Sequence, residues 1–157
     1  MTTITIESIQ AKQAELAEMI QQLKSETLQL PEIILLPQTE INLQPGERYA
    51  GAVLGEDGHI LHHLVLMAQR PAVLLNWQAA MDWASSVGGR LPNRQEQALL
   101  YANCKPYMEH TWHWTCVTDE DNASYAWYCD FYDGSQLYAH KGDEGSAVAV
   151  RSITVKS

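Results

Sequence analysis

Eight carboxylates, Glu109, Asp119, Glu120, Asp121, Asp130, Asp133, Asp143 and Glu144, share one segment with a single cation, Lys141, so that stretch carries −7 of the net −9. Hard oxygen donors in such numbers suit calcium: Asp119, Glu120, Asp121 and Asn122, with Asp143 and Glu144, could supply the roughly six to eight ligands that ion takes. A solvated acidic turn is the expected state, and no metal or cofactor is assigned. His59, His62 and His63 suggest zinc, with His110 and His113 downstream. In a strand, however, His62 and His63 point to opposite faces, and no cysteine or carboxylate stands at a ligand spacing beside them. Cys104, Cys116 and Cys129 form an odd set without CxxC spacing, as expected of reduced core thiols; whether Cys116 and Cys129 pair across a hairpin is open at this level. No base is placed by spacing to activate a thiol, and Asp130 and Asp133 read as turn aspartates rather than an acid–base pair. No catalytic set emerges, and the chain is expected not to be an enzyme.

The same charge repels phosphate, which disfavours direct nucleic-acid binding and attraction to anionic membranes but leaves a basic protein partner open. At 157 residues, 46% apolar, the chain can bury one sizeable core. The N-terminus lacks a basic leader, and no apolar run nears the roughly 18 residues of a membrane span, so a soluble protein is expected, in a host cytoplasm or on a virion, without a signal peptide.

These residues need elements to position them. Ile6, Ile9, Gln13, Leu16, Ile20 and Leu23, continued by Thr27 and Leu30, step by three and four, which predicts a helix near 5–26 and an oligomerising heptad seam, dimeric or trimeric. Pro31 ends it. Residues 31–46, with Pro31, Pro37 and Pro45, read as a linker, giving a division into a 1–30 oligomerisation helix, a 31–46 linker and a 47–157 domain. Within the domain, strands are expected at Tyr49–Leu54 and Ile60–Leu66, helices after Asn76 and after Asn93, and strands at Trp112–Val117, Tyr125–Phe131, Ser135–His140 and Ala147–Val155. Asn93 and Glu96 have capping-box spacing, and Gly88 stands where a left-handed C-cap belongs. Aromatic residues alternate along the middle strands, and Tyr128, Tyr132 and Tyr138 are the ones expected on the outside.

The Gly88-Gly89-Arg90-Leu91-Pro92-Asn93-Arg94-Gln95-Glu96 turn, Trp112-His113-Trp114, Tyr125-Ala126-Trp127 and the final Val150-Arg151 resemble a bacterial and phage family of unknown function typified by the C-terminal domain of a collagen-like adhesin. The resemblance spans roughly Gly46 to Ile153. It implies an α+β, C-type-lectin-like fold, two helices on twisted antiparallel sheets, distantly similar to formylglycine-generating enzymes. The chain departs from its relatives at Thr115 and Cys116, where two serines are usual, and it lacks the Glu-Pro-Asn and Trp-Asn-Asp triplets with which lectins read sugar through calcium. Short chains of this layout look like phage accessory proteins. The expected function is an oligomeric, lectin-like binding module that contacts a protein or glycan through Asp119, Glu120, Asp121, Asn122, Tyr128, Asp130, Tyr132, Asp133, Tyr138, Asp143 and Glu144. Alternatives are a phage-encoded inhibitor of a host defence protein, its carboxylates standing in for phosphates, and a divergent formylglycine-type oxidase.

Overall fold

The computed structural model describes residues 3–28 and 33–155, in two compact units, Met1–Pro37 and Gln38–Ser157. In the first unit, helix α1 (Ile6–Leu28) starts where Thr5 Oγ1 accepts from the Ser8 amide at 3.2 Å and Ser8 Oγ accepts from the Thr5 amide at 3.1 Å, a reciprocal cap. Its heptad residues are exposed, from 46% at Ile20 to 75% at Ile6, and Met19 widens the stripe. Leu30 and Pro31, where the sequence ends the seam, lie outside the described residues.

The second unit contains β1 (Arg48–Leu54), β2 (Ile60–Leu66), α2 (Trp77–Ser86), α3 (Arg94–Cys104), β3 (Trp112–Thr118), β4 (Tyr125–Asp130), β5 (Gln136–His140) and β6 (Val150–Thr154). The strands form two three-stranded antiparallel sheets, β1-β2-β6 and β3-β4-β5. The last strand begins at Val150 rather than at the expected Ala147. The residues before it are buried connectors, with the Trp114 amide donating to the Ser146 carbonyl and the Met67 amide to the Ala149 carbonyl.

Local chemistry sets both helix boundaries. Asn76 Oδ1 accepts from the Ala79 amide at 2.9 Å and starts α2. The helix stops where Gly88 takes φ +86°, which lets its amide reach the Ser85 carbonyl and the Gly89 amide reach that of Ala84. Asn93 Oδ1 then accepts from the Glu96 amide at 2.8 Å while Glu96 Oε2 accepts from the Asn93 amide at 2.9 Å, the capping box that starts α3.

Two clusters make the core. Ala50, Val53, Leu64, Leu66 and Val150 of the first sheet pack with Leu100 and Cys104 of α3 and with Cys129 and Phe131. Ala80 and Ala84 of α2 pack with Leu91 of the α2–α3 turn and with Trp114 and Ala126 of the second sheet, joined by the half-buried Trp77, Trp83, Trp112 and Tyr128. Strand alternation thus gives β3-β4-β5 one face for α2 and another that meets α3 from Cys129 as far as Trp127, where Arg94 lies over the ring. On the far side of the first sheet, Arg151 grips Glu47 at 2.9 and 2.7 Å and donates to the Asn42 carbonyl at 2.9 Å, which ties the segment before β1 to β6.

Candidate functional site

Beyond the N-terminus of α3, the second sheet presents a continuous run of rings. Trp127 of β4 stands directly opposite Tyr138 of β5, with ring centroids 5.5 Å apart; Tyr125 stands opposite His140, also at 5.5 Å; the diagonal Tyr125–Tyr138 pair closes the set at 5.9 Å. All three contacts are edge-to-face, the arrangement that ring quadrupoles favour, and cross-strand pairing supplies the spacing. At the α3 end the Arg94 guanidinium lies 3.6 Å over the Trp127 ring. That arginine is held in place by Gln136, which accepts from its Nε at 3.1 Å and donates to its carbonyl at 2.7 Å. Tyr138 is 52% exposed, so the run is open to a partner along β5.

Carboxylates gather at the other end. The Asp119–Asn122 turn is joined to Tyr125 by two backbone bonds, from the Asp119 amide to the Tyr125 carbonyl and from the Tyr125 amide to the Asn122 carbonyl. Asp143 bonds back to the His140 carbonyl, with Glu144 following. Lys141, the segment's lone cation, is folded away with its Nζ 4.1 Å over the Trp77 ring. Among the described residues, none of the eight carboxylates from Glu109 to Glu144 forms an ion pair.

The remaining predicted residues divide. Tyr132 is 77% exposed in the turn beyond the Cys129 end. Asp130 there accepts from the Tyr132 amide, and Asp133 accepts from the Ser135 amide and hydroxyl, bonds that hold the Asp133 carboxyl below its ordinary value. Tyr128 is a correction: it is half-buried, 5.0 Å from the Trp112 ring in the second core cluster. Its neighbour Trp127 takes the outer face, because adjacent residues in a strand point opposite ways. Tyr125, Trp127, His140 and Arg94 were missing from the expected face. The alternation signal for them was present; the pairing of β4 with β5 was what it lacked.

The chain matches no family model and no curated protein.

The histidines scatter. His59 bonds to Asp57 at the surface, His62 Nε2 lies 2.9 Å from Glu96, and His63 Nδ1 lies 2.8 Å from the Tyr49 hydroxyl. Among the described residues no three His, Cys, Asp or Glu side chains converge on a point that could hold a metal ion, the acidic turn included. Glu96 is the hub of a buried network: Arg90 donates to both of its oxygens at 2.6 Å and to Ser152 Oγ at 2.6 Å. Burial works to raise the Glu96 carboxyl, but Arg90, the Asn93 amide and His62 outweigh it and hold it below its ordinary value.

All three cysteines are free thiols. Cys129 stands opposite His113 in the β3–β4 register, three positions along β3 from Cys116, so the two thiols do not face each other. Burial pushes every thiol up, Cys129 to about 11 with the help of Asp130 and Asp133. They are therefore protonated, weakly nucleophilic groups at neutral pH.

Proposed function

We propose that the protein is a non-enzymatic binding module: a C-type-lectin-like domain, oligomerised through α1, that recognises a protein through the Trp127–Tyr138–Tyr125–His140 run and the carboxylates at its end. The single observation that carries this reading is the juxtaposition of the exposed Tyr138 and His140 rings, backed by the half-buried Tyr125 and Trp127, with unpaired carboxylates. Lysine and arginine side chains bind both at once, the ring through its negative face and the carboxylate through charge. Helices packed against two small antiparallel sheets, with β1 and β6 in the same sheet, support the lectin-like assignment and, through the family resemblance, a phage origin. The exposed Ile and Leu seam of α1 fits a second copy of the same seam, and joining copies multiplies weak contacts. Protonated thiols, two of them buried and Cys116 half-buried, give an oxidase reading no support.

The unpaired carboxylates also favour the inhibitor reading, in which the partner is a basic host protein whose nucleic-acid channel the acidic end fills. The test is an affinity capture from host lysate at low and moderate salt, run in parallel with Tyr138→Ala. Retention of one partner that the substitution abolishes supports the face, and loss of that partner as salt rises identifies it as a basic one. Retention indifferent to Tyr138→Ala, or retention of a glycan-bearing species alone, overturns the protein-binding assignment.

A further inference from the structure

A separate cleft of about 270 Å³ opens between the 70–74 segment and the start of β3, and it shares no residue with the aromatic face. Arg70, Glu109, His113 and Ser146 line it, with Val73 and Leu74, 67% and 53% exposed, on its apolar side. Arg70 and Glu109 carry opposite charges into the same space, yet they form no ion pair with each other.

Arg70 is held rigidly. Its Nη1 donates to the Met67 and Gln69 carbonyls at 2.6 and 2.8 Å, and its Nη2 donates to that of Tyr107 at 3.3 Å. These bonds use three of the five guanidinium N–H groups and leave the Nε–H and one Nη2 hydrogen to donate to a carboxylate. Opposite lie three acceptors. Glu109 offers its carboxylate, and the hydroxyl of the buried Ser146 donates to that carboxylate at 3.3 Å, leaving its own lone pairs open. His113 is buried with Nδ1 3.0 Å from the Thr111 carbonyl. A carbonyl can only accept, so Nδ1 holds the proton and Nε2 carries the lone pair.

We propose that this cleft binds a free aliphatic α-amino acid, its carboxylate on Arg70, its ammonium among Glu109, Ser146 and His113, and its side chain against Val73 and Leu74. The site's two charges cancel, so a ligand bearing both poles meets each, whereas a simple cation faces Arg70 and a simple anion faces Glu109. An ammonium has three N–H groups for the three acceptors. The volume lies just below the roughly 300–1,000 Å³ of drug-sized pockets, as a small metabolite requires.

The test is calorimetric titration of the full chain with L-leucine, L-leucinamide and N-acetyl-L-leucine, repeated on Glu109→Gln. Saturable binding of leucine is expected, weakened about tenfold or more in each derivative and in the variant, the usual loss for a missing charge-assisted bond. Near-UV circular dichroism confirms that the exposed Glu109→Gln change leaves the fold intact. No saturable leucine binding, or equal binding of all three compounds, overturns the proposal.

Discussion

Arg90 and Glu96 are joined by two parallel bonds of 2.6 Å, and the Glu96 side chain is wholly buried. Removing Arg90 leaves this buried carboxylate with only the Asn93 amide and His62 and no fixed cation, so Arg90→Ala is expected to cost about 3 kcal/mol, read as a shift in the urea midpoint. Arg90→Lys should recover only part of this, since an ammonium cannot fork onto two oxygens. Because the native Glu96 and Glu47 carboxyls are held below their ordinary values, their contribution is present above the unfolded value of about 4.3 and is lost as pH falls through the native ones.

His113 sets an earlier acid response. Burial pushes it from 6.5 down to about 4, so the unfolded chain takes up its proton first as pH falls. Stability should therefore decline between about pH 6.5 and 4, by roughly 3 kcal/mol from this one ring. Urea unfolding at a series of pH values checks this, and His113→Gln should flatten the slope in that window while leaving the carboxylate-dependent loss below it.

Two aromatic substitutions should part company. Tyr138→Ala, at an exposed ring, is expected to change stability by no more than about 1 kcal/mol and to abolish partner capture. Trp112→Ala removes a ring packed between Trp114 and Tyr128, at centroid distances of 4.9 and 5.0 Å, and should cost about 3–5 kcal/mol. Thermal unfolding and capture measured on the same preparations separate the two effects.

Replacing Leu16 and Ile20 together with Asp should give monomers in sedimentation while near-UV circular dichroism of the domain stays unchanged. Persistent oligomers would assign assembly to another surface.

Gly145 lies against the Trp112 indole so closely that an added Cβ would collide with the ring. Gly145→Ala should destabilise by about 1–3 kcal/mol, measured by urea unfolding, because either the backbone or the indole must move.

Local signals were the legible ones. Asn93 and Glu96 announce their helix because both members of the cap lie within one turn, and Gly88 marks its stop because only a glycine is comfortable at that φ. What sequence could not place were relations across strands. A one-residue shift in a strand turns every side chain over, so the register that sets Cys129 against His113 rather than Cys116, and the choice of Trp127 over Tyr128 for the outer face, depend on pairing partners that no short window contains. The same holds for His62 meeting Glu96, 34 positions away, and for the cleft, whose polar groups come from three separate connections and from His113 of β3.

The Glu47–Arg151 clamp, spanning 104 positions, has a consequence for biosynthesis. Strand β2 lies between β1 and β6, so on the ribosome one of its edges stays open until nearly all of the described chain has been made. Such long-range closure slows folding and offers an unpaired strand to neighbouring nascent chains in the meantime. Translation speed through the final strand, or a chaperone that shields the β2 edge, should therefore govern the yield of native protein more strongly than any change confined to the early helix.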